Sequence, residues 1–423
     1  MRKLLATTAA MSALALGGAQ AGDVRILWYS DGIEGEVMQD LLNRFMEENP
    51  DINVILDNVA YQVIMEQLPI QLAAGEGPDI ARVTNIKEQA EHWLDLTPHL
   101  EDPEYWRDNF GAQLDWMRPD GTDIIPGFMT QLTLTGGFAN ATLFEQAGVE
   151  MPALDAHWSE WVEAARQVQE SQQLEAAFSI DRSGHRITGP IISYGAELKS
   201  EDGRPAPLDE AAQAFITDLV GWTDDGAHMR DVWVSAAGTT YRAGADEFIN
   251  ANIAYYYSGS WQIANLAGKI GDTFDWIATG SPCGDAGCTG LPGGAALVGI
   301  RYTQNAEEVG KVMDFLGRED IVREFSERTL FLPAHRGVVE AGGLDFQTDD
   351  ENAKAALESF VAASSSLMEQ ANAMPGWRYA NAVYGGMVSR ISQAMAGEMA
   401  VEDIFERIDS DIAEQVAAAD SSN

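Results

Sequence analysis

The sequence predicts an α/β protein of two lobes, each a mixed, mostly parallel sheet flanked by helices. The chain has 423 residues, enough for two sizeable hydrophobic cores. Strand-like and helix-like segments alternate between residues 24 and 83, which is typical of parallel sheets with helical crossovers. No low-complexity linker separates the two halves, so we expect the lobes to be interwoven rather than joined in line.

The first elements follow from hydrophobic spacing and turn residues. Residues 24–29 are apolar and β-branched and predict a strand. The next segment has an apolar helical face over residues 37–46 and ends before Pro50. Alternating apolar residues at 52–56 predict a second strand.

A second helix and a third strand complete this unit. The helix is predicted over residues 63–72 and contains Pro69, which should kink it or shift its start. The segment Gly75–Pro78 should end the helix, because glycine tolerates positive φ and proline cannot continue the helix. Residues 79–83 then predict the third strand.

Later segments continue the alternation. We predict helices at 142–147 (ended by Gly148), 157–169 and 209–222, strands at 253–257 and 274–278, and a largely helical part from Ala306 that finishes with helices at 380–396 and 401–416.

The first 21 residues have the composition of a secretory signal peptide. Arg2 and Lys3 form a basic start, an alanine-rich apolar stretch runs to Leu16, and residues 19–21 form an A-x-A cleavage site. The apolar stretch is shorter than the ~20 residues that a membrane span needs. We therefore expect cleavage after Ala21 and a soluble periplasmic protein without stable insertion in the membrane.

The chain is strongly acidic, with 66 Asp and Glu against 26 Lys and Arg and a formal net charge of −40. Such a surface repels nucleic acid and anionic lipid, which excludes both as partners. The acidity fits a solubilising surface. It also leaves open a second possibility, that the protein attracts cations such as polyamines.

The two cysteines, Cys283 and Cys288, flank a glycine-containing turn. Their spacing is not the C-x-x-C of redox and zinc sites. In an oxidising compartment we expect them to form a local disulfide. Closing so short a loop should stabilise the fold by about 2 kcal/mol.

Five short motifs lie in the same order as in one known family. They are LAAGEGPD at 72–79, GGFANATLFEQAG at 136–148, HWSEW at 157–161, FINANIAYYYSGSW at 248–261 and LPAHR at 332–336. Together they resemble the motifs of the extracellular (periplasmic) solute-binding proteins, family 1, of ABC importers, of the sugar-binding, maltose-binding-protein-like type. Two positions depart from the family pattern: Ala139 replaces an aromatic residue and Ala141 a lysine.

This resemblance implies the two-lobed periplasmic binding protein fold (type II-like), with a ligand cleft between the lobes. After the signal peptide at 1–21, we place the N-terminal lobe at 22–132 plus 290–330 and the C-terminal lobe at 133–289 plus 331–423, with chain crossings near residues 132, 290 and 330. The implied function is hinge closure on a mono- or oligosaccharide and its delivery to the membrane subunits of an ABC permease. We expect a monomer without a cofactor.

Trp261 is the first candidate for ligand contact. It follows a predicted strand at the start of a helix, where loops open into clefts, and an indole face packs well against the C–H face of a sugar. The alternative is a tryptophan of the hydrophobic core. The loops that face the cleft in the resembling family, together with a glycine-rich segment, add further candidates: Ser30, Asp31, Thr84, Asn85, Gln131, Thr133, His185, Arg186, Gly293, Gly294, Trp377, Arg378 and Tyr384.

Other functions have weaker support in the sequence. Tyr255–Tyr257 resembles the adjacent tyrosines of ferric-binding periplasmic proteins, but the six histidines are scattered, so we expect no metal. The glycines at 290–294 lack a nucleotide-binding pattern and are interpreted as close backbone approach or hinge freedom. No signature such as G-x-S-x-G or H-E-x-x-H occurs, so a carbohydrate-active enzyme is a remote alternative. A polyamine or other cationic-solute binding protein of the same fold is the main one.

Overall fold

The computed structural model describes residues 22–30, 32–235, 241–364 and 366–421. The predicted signal peptide at 1–21 lies outside these ranges. The strands are β1 (Gly22–Trp28), β2 (Ile52–Asn58), β3 (Ile80–Val83), β4 (Gly127–Asn140), β5 (Phe178–Ile180), β6 (Tyr255–Gly259), β7 (Trp276–Gly280), β8 (Cys283–Gly284), β9 (Gly287–Cys288) and β10 (Pro292–Gly299).

Helices surround the strands and make up most of the chain after β10. They are α1 (Glu34–Glu48), α2 (Tyr61–Ala73), α3 (Pro103–Met117), α4 (Ala141–Ala147), α5 (Trp158–Gln172), α6 (Gly184–Ser193), α7 (Glu210–Asp224), α8 (Gly244–Ile249), α9 (Ile263–Ile270), α10 (Ala306–Leu316), α11 (Glu319–Thr329), α12 (Arg336–Ala341), α13 (Glu351–Ser364), α14 (Glu369–Ala373), α15 (Ala380–Met395) and α16 (Val401–Ser421). Within the described ranges, none of them combines the length and the apolar character needed to cross a membrane.

The main sheet has the strand order β2-β1-β3-β10-β4-β6-β5, with β7 also paired to β4. The α/β class is therefore confirmed, but the pairing is mixed rather than mostly parallel. Strand β1 is parallel to β2 and β3, and β5 is parallel to β6. The four described pairs that involve β4 or β10 are antiparallel. These two strands carry the chain between the lobes in opposite directions. For this reason the sheet is mixed and not mostly parallel as the sequence predicts.

Strand β4 belongs to both halves of the sheet. Its first part, residues 127–134, pairs with β10, and its second part, residues 135–140, pairs with β6 and β7. The buried apolar residues accordingly form two clusters. One draws on segments 24–129 and 295–338, and the other on segments 134–291 and 353–416 together with Leu332. These cores support two lobes, while the lobe boundaries given above stay a prediction.

Three crossings between the cores lie side by side. Leu132 in β4 faces Gly294 in β10, and its N–H donates to the Leu332 carbonyl at 2.9 Å. The Leu132 side chain packs against both cores. Adjacent crossings of this kind allow two lobes to rotate about a common axis, as in hinge closure.

The GPD segment after α2 has a structural role. Helix α2 ends at Ala73, and Gly75 follows with a φ of +74°, which favours glycine. The Asp79 carboxylate accepts from the Arg25 backbone N–H at 2.8 Å and from Asn305 Nδ2 at 3.2 Å. Asp79 therefore links β1 to the segment after β10 instead of facing a ligand.

Two further predictions can be compared with the structure. Pro69 lies inside α2, which begins at Tyr61, so the proline does not displace the start of the helix. Cys283 and Cys288 are bonded across the β8–β9 hairpin, with their Cα atoms 4.0 Å apart, as predicted.

Candidate functional site

A cavity of about 480 Å³ lies between the two cores, beside the crossing strands β4 and β10. Twelve of the predicted ligand-contact residues line it: Thr84, Asn85, Gln131, Thr133, His185, Arg186, Trp261, Gly293, Gly294, Trp377, Arg378 and Tyr384. Ser30 does not line it, and its hydroxyl accepts a hydrogen bond from Asn58 Nδ2 at 3.1 Å. Asp31 lies outside the described residues. Contact with a ligand stays a prediction for each residue.

The wall on the side of the first core is formed where parallel strands end. Tyr29 directly follows β1, and Thr84 directly follows β3, so both lie at the carboxyl edge of the sheet, where ligands commonly bind. Tyr61, at the start of α2, packs its ring edge-on against Tyr29, with the centroids 4.9 Å apart. The Tyr61 hydroxyl lies 2.8 Å from Thr84 Oγ1. The result is an aromatic surface edged by hydroxyl groups.

A fully buried arginine supports this wall from beneath. Arg82 Nη2 donates to Gln131 Oε1 at 2.6 Å, and its Nη1 donates to the Tyr29 carbonyl at 2.5 Å. Glu34 Oε1 lies 3.3 Å from Nη1 and balances the charge. Because the Gln131 oxygen is occupied by Arg82, the amide nitrogen of Gln131 is directed away from Arg82 and available as a donor. Arg82 thus orients two residues that line the cavity.

The floor requires close approach of two backbones. A Cβ on Gly294, whose φ is +145°, would lie 2.1 Å from the Gln131 carbonyl oxygen. A Cβ on Gly293 would lie 3.1 Å from His185 Nε2 and 3.4 Å from Thr133 Oγ1. Glycines at these positions allow β10 to pack against β4 beneath the cavity.

The opposite wall begins at the first turn of α6. His185 and Arg186 lie in this turn, and Arg186 Nη1 is 3.1 Å from His185 Nδ1. Burial, with a smaller contribution from the neighbouring Arg186 charge, lowers the pKa of His185 to about 3. The imidazole is therefore neutral at physiological pH and can accept a hydrogen bond from the guanidinium.

Asp181 lies behind this wall, directly after β5. Its carboxylate accepts from the Tyr256 hydroxyl at 2.9 Å and from Ser258 Oγ at 2.6 Å. Burial raises the pKa of Asp181, while the Arg186 charge opposes this shift. Burial also lowers the pKa of Arg186, against the effect of Asp181.

Trp261 lies where the sequence predicts it, in a short turn between β6 and α9. It is half-buried, and within the described part of the chain it belongs to neither hydrophobic core. The Arg186 guanidinium carbon lies 4.0 Å from the centroid of the Trp261 ring. A Cβ at Gly259 would come within 2.1 Å of the same ring, so glycine is needed there. The indole is a surface of the cavity rather than part of a core.

The third wall comes from the C-terminal helices. Trp377 is 8% exposed, and its Nε1 donates to the Gly203 carbonyl at 2.8 Å, so most of its ring serves packing. The Tyr384 ring packs edge-on against His185, with centroids 5.4 Å apart. Arg378 pairs with Asp420 at 3.4 Å.

The structure adds residues that the sequence did not single out. Among them are Tyr29, Tyr61, Lys87, Glu88 and Asn381. Asn381 Nδ2 donates to Glu88 Oε2 at 3.0 Å and so links the C-terminal wall to the loop after β3. Tyr29, Lys87 and Glu88 lie within two or three residues of predicted positions, so their neighbours were the available signal. Asn381 lies three residues from both Arg378 and Tyr384, so the same signal was available for it. Tyr61 has no predicted site residue nearby and gave no signal beyond its place at the start of a helix.

The adjacent tyrosines Tyr255–Tyr257 are buried, and their hydroxyls have protein partners. Tyr255 pairs with Thr279 at 3.1 Å and Tyr257 with Ser281 at 2.9 Å, while Tyr256 donates to Asp181. In the described ranges, no group of three or more His, Cys, Asp or Glu residues could hold a metal ion. These tyrosines pack and order the second core.

Comparison with known proteins relates this architecture to one family. The family model for bacterial extracellular solute-binding proteins matches residues 29–322. A binding protein of Brucella abortus (strain 2308) is 24% identical over 397 residues, covering 87% of this chain and 88% of that protein.

Solved structures share the whole fold at low identity. The GacH receptor of Streptomyces glaucescens, solved unliganded and with acarbose, superposes with a TM-score of 0.77 at 19% identity over 92% of this chain and 96% of its own. Maltose-bound MalE3 of T. maritima superposes with a TM-score of 0.73 at 16% identity, and the match covers 93% of this chain and 99% of MalE3. A solute-binding protein of Thermotoga lettingae bound to α-D-tagatose superposes with a TM-score of 0.74 at 16% identity, and the match covers 93% of this chain and 99% of that protein. The same two-lobed architecture is therefore shared.

Proposed function

The chain belongs to the bacterial extracellular solute-binding protein family, and from this premise we propose that it is the carbohydrate-binding component of an ABC importer. It holds a mono- or oligosaccharide in the cavity between its lobes. Closure about the adjacent crossings buries the ligand, and the closed form delivers it to the membrane permease.

The observation that carries this proposal is the chemistry of the cavity wall. Aromatic rings of Tyr61, Trp261 and Tyr384 alternate with hydrogen-bonding groups, among them Thr84 and Gln131. A saccharide has apolar C–H faces and a rim of hydroxyls, so it needs both kinds of group at once. The volume of about 480 Å³ lies in the range of pockets that take small molecules.

The similar structures give further support. Their descriptions name acarbose for the Streptomyces receptor, maltose for MalE3 and tagatose for the Thermotoga lettingae protein. All are carbohydrates or carbohydrate analogues. At identities of 16–19%, the shared property is the fold, so the choice of ligand for this chain rests on its own cavity.

The cavity favours a carbohydrate over a polyamine. A polyamine site needs carboxylates that face the ligand. Among the described residues that line the cavity, Glu88 is the one carboxylate, and it already accepts from Asn381. Lys87, Arg186 and Arg378 line the same cavity and would repel a polycation. The acidity of the chain therefore belongs to its outer surface.

We propose that the protein binds its ligand without catalysing a reaction. A glycosidase of the common kind needs two carboxylates on either side of one bond, and a single carboxylate in the described lining does not supply them. We therefore assign binding without chemistry. We further propose export with cleavage after Ala21, a periplasmic location and a monomeric state.

A thermal-shift screen tests the carbohydrate assignment. Purified protein is melted with a panel of mono- and oligosaccharides and, in parallel, with spermidine and putrescine. A tight ligand raises the melting temperature by mass action, and we expect this from at least one saccharide and from neither polyamine. Stabilisation by spermidine, together with indifference to every saccharide, would refute the assignment.

A further inference from the structure

Arg186 lies in the cavity with an incomplete set of partners. Resting on the proposed carbohydrate function, we propose that the bound saccharide carries an anionic group, a carboxylate or a phosphate, and that the Arg186 guanidinium binds this group. Acidic sugars are thus the proposed class of ligand. The other features of the cavity do not decide between neutral and charged sugars.

The partners of Arg186 do not neutralise its charge by contact. Its Nη1 meets the neutral ring of His185 at 3.1 Å, and its Nε is buried without a hydrogen-bond partner. Within the described ranges, no carboxylate lies within the 4.0 Å of an ion pair with this guanidinium. Arg186 is half-buried, and holding a cation there without an ion pair is costly, so an anion from the ligand would remove part of that cost.

The nearest carboxylate is engaged elsewhere. Asp181 influences Arg186 through space, but its oxygens accept from Tyr256 and Ser258. Burial also raises the pKa of Asp181, so its negative charge is itself disfavoured there. Asp181 moderates the field of Arg186 without completing its hydrogen bonds.

The orientation of the guanidinium suits a carboxylate or phosphate. One face lies over Trp261, with the guanidinium carbon 4.0 Å from the ring centroid. Stacking uses the face of the group and leaves the N–H donors at its edge, which can bind two oxygens side by side. A saccharide with an acid group next to its ring would meet the arginine and the aromatic surface together.

Helix α6 adds to this positive field. Arg186 lies in the first turn of this helix, and the turn contains no acidic residue. Ser183 precedes it and lines the cavity, and its side chain makes no capping hydrogen bond. The first N–H groups of a helix carry partial positive charge and favour anions.

The other two cations of the cavity differ from Arg186. Lys87 lies 2.7 Å from Asp120, and Arg378 lies 3.4 Å from Asp420. Both are thus paired with carboxylates of the protein. Arg186 is the cation of the described lining that lacks such a contact, which selects it as the anion-binding group.

Calorimetric titration with matched sugars tests the proposal. The probes are glucose and glucuronate, galactose and galacturonate, digalacturonate, and glucose 6-phosphate, which separates phosphate from carboxylate. The expected preference is about tenfold to hundredfold for an acidic member over its neutral partner, the range for one charge-assisted hydrogen-bonded pair. The affinity for the acidic sugar should fall as the salt concentration rises, since added ions screen the attraction.

Variants then locate the effect. Arg186→Gln should abolish the preference for the acid, measured as the ratio of the affinities for the acidic and the neutral sugar, and Arg186→Lys should keep part of it. Arg166→Gln is the matched control, because Arg166 pairs with Asp225 away from the cavity. Asp181→Asn should strengthen binding of the acid, since it removes a nearby negative charge, and it provides the test if the Arg186 variants do not fold.

The outcomes are distinct. Equal or tighter binding of the neutral member, or an equal loss of both members in Arg186→Gln, would overturn the anionic assignment and leave the carbohydrate function standing. An absence of binding by every saccharide would refute the carbohydrate function and this inference with it. A preference for the acid that persists in Arg186→Gln would also overturn the role of Arg186.

Discussion

Two arginines near the cavity differ in how their charge is balanced. Arg82 is fully buried beside Glu34 and between the rings of Trp28 and Tyr29, at 4.7 and 4.1 Å from their centroids. Its Nε has no hydrogen-bond partner, as in Arg186, but Glu34 balances its charge and both Nη atoms have partners in the protein, so it acts as a support for the cavity wall. Arg186 lacks a contacting carboxylate within the described residues, and for this reason we propose that it binds the ligand. The two arginines differ in their partners as well as in burial, since Arg82 is fully buried and Arg186 is half-buried.

Replacement of one tryptophan tests the residue-scale account of the cavity. Trp261→Ala should weaken saccharide binding by about thirtyfold or more, because central aromatic anchors commonly contribute ~2 kcal/mol or more. Its melting temperature should change little, since Trp261 belongs to neither core in the described ranges. The measurement pairs calorimetric titration with thermal melting.

Trp222→Ala is the control for this prediction. Trp222 is also a partly buried tryptophan, but it packs against the second core, stacked on Trp158. The Trp222→Ala variant should be less stable than the wild-type protein and should keep its affinity for the saccharide. Near-normal affinity together with marked destabilisation in Trp261→Ala would instead assign Trp261 a packing role.

Individual site residues were predictable where they follow a strand or a motif. Thr84 directly follows β3 and Trp261 comes two residues after β6, and the structure places both at the cavity. Ser30 follows a strand as well, yet its hydroxyl is held by Asn58, a partner 28 residues away that no local pattern reveals. The role of Arg82 depends on contacts with Glu34 and Gln131, which lie 48 and 49 residues away in the sequence.

At the scale of elements, the central strands were the hardest to predict. Helices such as α5 and α15 have clear apolar faces, and their predicted bounds agree with the structure within a few residues. Strands β4 and β10 contain glycines, which usually weaken strands. Gly137 in β4 is needed because a Cβ there would lie 1.9 Å from the Tyr255 hydroxyl, a contact set by tertiary structure. The mixed pairing of the sheet follows from these two strands.

The packing of β10 on β4 gives a prediction at this scale. Gly294→Ala should destabilise the fold by about 1–3 kcal/mol and weaken ligand binding, because alanine is strained at a φ of +145° and its Cβ would meet the Gln131 carbonyl. Gly221→Ala is the control, since Gly221 lies exposed within α7 with no atom near the added Cβ. It should be neutral or stabilise by up to about 1 kcal/mol.

Urea unfolding of both glycine variants measures these changes. Gly294→Ala with unchanged stability and affinity would contradict the close approach of the two strands beneath the cavity. A loss of stability in both variants to the same degree would point to a general cost of replacing glycine rather than to this contact.

For the whole molecule, composition and motif order predicted the class and the family. The α/β architecture with two cores is present, and the family model covers residues 29–322. The net charge of −40 did not reveal the character of the cavity, because the acids are spread over the surface while Lys87, Arg186 and Arg378 converge between the lobes. Convergence of distant residues is a property of the fold and cannot be read from composition.

We propose above all that a carbohydrate binds between the two cores. A crystal structure of the protein with the saccharide that stabilises it most tests this claim directly. We predict a sugar ring in the cavity in contact with Trp261 and Tyr61, with hydroxyl or acid groups at Gln131 and Arg186. A saccharide bound outside this cavity, or a cavity filled by a ligand of another chemical class, would contradict the account.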